Sequence, residues 1–188
     1  MMNVVGQEKV YCFTEGEFSI LADACGIRSM LCFRGTGGNE LRKLSQGEYA
    51  KTVYDLCKRK MLDREETELV LKKEIDEMIA QCRTSEWIIC FYNSSEQGCS
   101  ACIYLPSQNG TSDPETSFTL ILPGSRKSEY IRISSHNGNE FEDIAESYLS
   151  DNDVIRIFDG ITLQEKSVIR SSSEEDYSAN GIKRYLKK

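Results

Sequence analysis

The chain has 188 residues, of which 39% are hydrophobic, a formal net charge of -7 and a pI near 4.9. Such a length fits one large domain or two closely packed small ones, with enough apolar residues for a real core. The acidity argues against a surface built to neutralise nucleic-acid phosphates or to lie on anionic lipid, which leaves a protein or a small molecule as the default partner.

The opening residues Met1 to Lys9 lack the basic region and apolar stretch of a secretory signal, and no apolar run approaches the roughly 18 residues of a membrane span. The expectation is a cytoplasmic protein whose eight cysteines are reduced thiols. Cys12, Cys25, Cys32, Cys57, Cys82 and Cys90 all sit among apolar neighbours, where cysteine acts as a small hydrophobe.

In chain order, Val10-Tyr11-Cys12-Phe13 predicts a short strand, and Thr14-Glu15-Gly16-Glu17 matches a capping box that starts a helix. Phe18, Leu21, Ala22 and Cys25 recur at helical spacing, and Gly26 is placed to end that helix in a left-handed conformation. Ile27 to Phe33 reads as a strand, followed by a break at Arg34 to Asn39. Ser45-Gln46-Gly47-Glu48 repeats the capping pattern ahead of a helix carrying Tyr49, Val53, Leu56 and Cys57, with Lys58-Arg59-Lys60 at its negative pole. Asp63 to Glu66 predicts the cap of a third helix, whose apolar face is Leu71, Ile75, Met78, Ile79 and Cys82.

From Glu86 the pattern changes to strands. Trp87 to Tyr92 is apolar at both parities, so this strand should be covered on both faces. Cys99 to Leu105, Ser117 to Pro123 and Ser128 to Ser134 follow as an antiparallel meander with polar connections. Asn139 to Glu142 predicts the cap of a helix striped by Phe141, Ile144, Ala145, Tyr148 and Leu149. Asp159-Gly160 predicts a tight hairpin between Val154 to Phe158 and Ile161 to Ile169. Ser171 to Asp176 opens a polar tail in which only Ile182, Tyr185 and Leu186 have the character to dock.

Few residues suggest chemistry. Cys99-Ser100-Ala101-Cys102 is the sole Cys-x-x-Cys pair, yet residues three apart in a regular strand face opposite ways, so the two sulfurs could not meet without a bulge. His136, the only histidine, falls in an apparent polar loop without a nucleophile elbow, and is expected at the surface. Gly35-Thr36-Gly37-Gly38 lacks the Lys-Ser/Thr of a phosphate loop. Lys51, Lys58, Arg59, Lys60, Lys72 and Lys73 are interleaved with Asp55, Asp63, Glu65, Glu66, Glu74 and Asp76, which cancel most of their field.

Two segments carry a resemblance. Phe13-Thr14-Glu15-Gly16-Glu17-Phe18-Ser19-Ile20-Leu21, closed by Gly26, leads a strand into an early helix with a Glu-aromatic-x-x-Leu core. Leu56-Cys57-Lys58-Arg59-Lys60-Met61-Leu62 ends the helix that begins near Ala50, with Lys60 in place of a glycine. Together with the order of elements, these resemble the EspG-like cytosolic chaperones of type VII (ESX) secretion systems. The resemblance implies a non-enzymatic adaptor that binds a helical substrate before export.

The sequence therefore predicts an α+β fold in which an antiparallel sheet of about six strands is flanked by an N-terminal helical part and one later helix. Residues 1–170 form one domain, helical over about 14–83 and sheet over about 86–170, and 171–188 form a flexible tail. The expected function is a cytoplasmic chaperone or adaptor without catalytic residues, metal or cofactor, whose partner is a helical secreted protein or toxin domain. The alternatives are a toxin-immunity protein and a winged-helix DNA-binding regulator. Partner contacts are placed between Glu96 and Arg132, on Tyr104, Leu105, Phe118, Leu120, Leu122, Tyr130 and Arg132, because the strands carry more apolar residues than one half-buried sheet face needs.

Overall fold

Thr14 ends one element and starts the next. It closes strand β1 (Tyr11–Thr14) and caps helix α1 (Glu15–Ala24): its hydroxyl accepts from Glu17 N at 3.2 Å while Glu17 Oε2 accepts from Thr14 N at 2.8 Å. In the computed structural model, residues 9–27, 30, 41–65, 68–95, 98–106, 116–123, 130–172 and 176–187 are described. The expected strand over Ile27 to Phe33 and the glycine run at Gly35 lie largely outside these residues. Ile27 and Met30 are buried and not in a strand.

Helix α2 (Gln46–Lys58) has the same reciprocal cap between Ser45 and Glu48. Both helices also end alike. Gly26 N donates to Asp23 O and Ile27 N to Ala22 O in α1, and Lys60 N donates to Cys57 O and Met61 N to Leu56 O in α2. This paired bonding requires a left-handed residue just past the helix. Gly26 fills that position at φ 73° and Lys60 at φ 56°.

The predicted cap at Asp63 to Glu66 is corrected. Leu62–Glu65 and Glu68–Leu71 are strands β2 and β3 of a separate antiparallel hairpin, and helix α3 (Lys73–Arg83) starts after Lys72 without a side-chain cap. Leu62 pairs with Leu71 and Arg64 with Leu69. Leu62, Leu69 and Leu71 thereby reach the core, and this period-2 burial outweighs the local capping signal.

The remaining strands are β4 (Ser85–Tyr92), β5 (Cys99–Pro106), β6 (Ser117–Leu122), β7 (Tyr130–Asn137), β8 (Val154–Asp159) and β9 (Glu165–Arg170). A 3-10 turn at Gly138–Glu140 leads into helix α4 (Phe141–Leu149), and helix α5 (Ala179–Leu186) follows β9. With β1 they form a seven-stranded antiparallel sheet in the order β1-β7-β6-β5-β4-β8-β9. The fold is mixed α+β, with helices on both faces of the sheet. One face packs against α1, α2, α3 and the hairpin, the other against α4 and α5. β4 lies deep in the sheet, which explains why Trp87 to Tyr92 is apolar at both parities.

Two C-terminal readings change. Asp159-Gly160 does not form a two-residue turn, since β9 begins only at Glu165. The Asp159 carboxylate instead accepts from Ile161 N and Thr162 N. Gly160 is required by crowding, because a Cβ there would lie 2.1 Å from Ser85 O. The expected flexible tail contains α5. Ile182 is wholly buried, Tyr185 packs edge-on against Trp87 at 6.2 Å, and Ala179 N donates to Glu146 Oε1 at 2.8 Å.

Candidate functional site

The seven residues expected to face a partner separate into two groups. Tyr104 is buried in the core cluster on the α3 side of the sheet, while Leu105, Phe118 and Leu120 are buried beneath α4 and α5. These four are corrected from surface to core, since the chain's own helices use the apolar excess that suggested a docking face. Leu122 is half-buried, whereas Arg132 is exposed and Tyr130 is 53% exposed.

Register explains why the last three belong together. Leu122 pairs with Arg132 and Arg132 with Cys12, so one row crosses β6, β7 and β1 on the face that α4 and α5 cover elsewhere. Tyr130 pairs with Thr14 in the next row of the same face. Cys12 and Thr14 are exposed. Among the described residues no helix covers this corner of the sheet, which has a tyrosine and an arginine at its centre. Glu96 and the connections at 107–115 and 124–129, where the expected partner region continues, lie outside the described residues.

Three members of the basic cluster, Arg59, Lys72 and Lys73, are engaged within the chain. Arg59 Nη1 lies 2.6 Å from Glu17 Oε1, and its Nη2 donates to Cys12 O on the edge strand β1 at 2.7 Å. Lys72 Nζ stands 5.2 Å from the centre of the Tyr11 ring, and Lys73 pairs with Glu77. Arg59 thus binds edge strand β1, α1 and α2 together.

His136 is corrected from surface to core, at 7% exposure. β7 extends through it, and its ring stacks on Phe118 at 5.4 Å. Its Nε2 shares a hydrogen bond with Ser134 Oγ at 2.9 Å, and Glu140 Oε2 is 3.9 Å from Nδ1. Serine, histidine and carboxylate therefore stand in sequence. Glu140 nevertheless spends Oε2 on Asn137 N at 2.7 Å, and Ser134 is only 6% exposed. The carboxylate does not hydrogen-bond the imidazole and a substrate would have little access to the hydroxyl, so the pair is read as packing.

The Cys99-Cys102 pair behaves differently from a regular strand. Phe91 pairs with Ala101 and Tyr92 with Cys99, leaving Ser100 as an extra residue in β5. This is the β-bulge whose absence would keep the two sulfurs apart. Ser100 Oγ donates its one proton to Asn152 Oδ1 at 2.7 Å, shared with Phe91 O at 3.1 Å, while Asn152 Nδ2 donates to Tyr148 O at 2.7 Å. Cys99 and Cys102 consequently face the same core, where Cys90, directly opposite Cys102 on β4, completes a group. Cys102 Sγ lies 3.2 Å from Cys90 Sγ and 3.5 Å from Cys99 Sγ. All three sulfurs lie within 4.8 Å of one another. Sequence reasoning missed the site because Cys90 arrives from the neighbouring strand and the bulge depends on register.

Among the described residues no other three thiols are grouped in this way. Burial pushes the Cys25 thiol up to about 12, with its hydrogen bond to Asp76 acting in the same direction. Burial also pushes Cys82 far up. No family model, no curated protein and no solved structure matches this chain. No helix among the described residues is long and apolar enough to cross a membrane.

Proposed function

We propose that the protein is a non-enzymatic binding protein that holds a helical segment of another protein, acting as a chaperone or adaptor for a secretion substrate before export. The observation that carries this reading is the bare corner formed by Leu122, Tyr130, Arg132 and Cys12. A sheet face is normally buried by a packed layer, and here α4 and α5 supply that layer only in part. One further amphipathic helix laid beside α4 would complete it.

The side chains suit that role. Tyrosine and arginine are among the residues that most often dominate interface energetics. Cys12 and Leu122 would supply apolar contact between them, and Arg132 would select an acidic group on the incoming helix. The likeness of Phe13 to Leu21 and of Leu56 to Leu62 to EspG-like chaperones supports the same reading.

Co-expression with small helical secreted proteins encoded beside this gene tests it. The expected result is a stable complex on gel filtration, weakened at least ~10-fold in affinity by Tyr130→Asp combined with Arg132→Glu. The double variant should keep the wild-type melting temperature, since both residues are exposed. Absence of any complex with the wild-type chain would sink the adaptor reading. A complex indifferent to the double variant would remove this corner from it.

A further inference from the structure

We propose that Cys90, Cys99 and Cys102 form a binding site for a soft, thiophilic metal ion of low coordination number. The site stands independently of the adaptor reading. Its first support is distance. With two sides of 3.2 and 3.5 Å and a third no longer than 4.8 Å, the triangle of sulfurs has a point within about 2.4 Å of all three, against a zinc-thiolate bond of about 2.3 Å. The ligands therefore stand at coordinating separation without rearrangement of the strands.

The second support is that the backbone is shaped to bring them together. A regular pairing of β4 and β5 would turn Cys99 to the opposite face from Cys102. The bulge at Ser100 reverses this, and Ser100 is fixed to Phe91 O and to Asn152, itself 8% exposed and anchored on the carbonyl of Tyr148. Bulges commonly re-aim side chains beside functional sites. Removing Ser100 from this bonding would cost the site its third ligand rather than its fold.

The third support is the donor set and its surroundings. Sulfur-only coordination selects soft ions such as Cu(I) and Zn(II) over Mg(II) or Ca(II). Cys90 and Cys102 are fully buried and Cys99 is 9% exposed, which keeps the three sulfurs largely out of water with Cys99 the nearest to solvent. Each coordinated thiol loses its proton to solvent as its S–H bond is exchanged for a sulfur-metal bond, so affinity rises with pH. Three thiolates around a divalent ion retain one negative charge. Arg156, the cross-strand neighbour of Cys90 on β8, lies over the Tyr92 ring at 5.2 Å and is paired with Glu165 at 3.1 Å.

The test uses the full chain, reduced and under anaerobic conditions, titrated separately with Zn(II) and with Cu(I) against competing chelators. The expected result is one equivalent bound, a rise in melting temperature on loading, and at least a 100-fold loss of affinity in Cys99→Ala and in Cys90→Ala. A variant with Cys12, Cys25, Cys32 and Cys57 replaced by serine should bind as the wild type does, which keeps the test valid if a core variant fails to fold. Saturation by Zn(II) alone or by Cu(I) alone identifies the ion and supports the site. Failure of both metals to bind stoichiometrically, or loss of binding in the four-serine variant, overturns it.

Discussion

The two faces of the sheet are built from different atoms. The face under α4 and α5 is hydrocarbon: its buried cluster contains Phe91, Phe118, Phe141, Leu149, Ile155, Ile157 and Ile182 and, among the described residues, no sulfur. The opposite face, under α1, α2, α3 and the hairpin, gathers Met30, Met78, Cys82, Cys90, Cys99 and Cys102. Aliphatic and aromatic side chains pack in defined rotamers and specify a rigid layer, whereas sulfur is polarisable and can be ligated. The cluster beneath α4 and α5 thus holds the fold by hydrocarbon packing, and the opposite cluster adds grouped thiols to its packing. The C-terminal helix belongs to the first and the bulge serves the second.

That contrast can be broken most directly on the hydrocarbon face. Phe141→Ala removes a fully buried ring that packs edge-on against Phe118 at 6.0 Å and should lower stability by about 4 kcal/mol in urea unfolding. A loss below about 1 kcal/mol would mean that this face is not the rigid one. Ile182→Ala tests the tail as part of the same layer, with an expected cost of about 3 kcal/mol. If the unfolding midpoint does not move, α5 is not a structural element in solution.

Smaller effects are expected on the sulfur face. Arg59→Ala leaves the Glu17 carboxylate, whose side chain is 10% exposed, without its cation. With the arginine itself more than a third exposed, the expected loss is about 1–2 kcal/mol. Lys60→Gly should act in the opposite direction, stabilising by up to about 1 kcal/mol because the left-handed backbone there disfavours a Cβ. A destabilised Lys60→Gly variant would show that the lysine side chain contributes more than its strained backbone costs. The smallest effect is in the pH dependence. Cys25 is held protonated up to about 12 by burial and by Asp76, above its value in the unfolded chain, so its contribution is intact below about pH 8.5 and fades as pH rises toward 12. Cys25→Ser should change the slope of the stability curve in that alkaline window, and identical slopes would refute the assignment.

How far the sequence reveals these features depends on how local their causes are. The capping boxes at Thr14 and Ser45 and the Gly26 stop are decided within four or five neighbouring residues and stand where the spacing predicts them, whereas the box predicted at Asn139 forms two residues earlier, between Asn137 and Glu140. The β2-β3 hairpin is less legible because Asp63 to Glu66 satisfies a capping pattern equally well, and only the burial of Leu62, Leu69 and Leu71 decides against it. Helix α5 escapes notice because it follows a polar run and contains Gly181, yet it is held through Glu146, Trp87 and Asn152, all distant in sequence. The apolar strand residues suggested a partner where the structure supplies the chain's own helices. Tyr130 and Arg132 remain exposed because that helical layer covers Ser134 and His136 but stops short of the first half of β7. The cysteine group needed both the bulge and a residue on another strand, neither of which Cys99 to Cys102 can reveal alone.

The pairing of β1 with β7 sets an order on assembly. Among the described residues β1 is the earliest strand, and the partner it pairs with there, Tyr130 to Ile133, is made more than a hundred residues later. Closing so long a loop carries an entropic cost that is recovered only once the intervening strands are in place. During synthesis, Tyr11 and Phe13 must therefore wait as exposed aromatic residues beside a preformed α1. The β1 edge consequently closes only after β4, β5 and β6 have been made, and in a chain stalled before β7 emerges these residues would be open to capture by the cell's folding machinery.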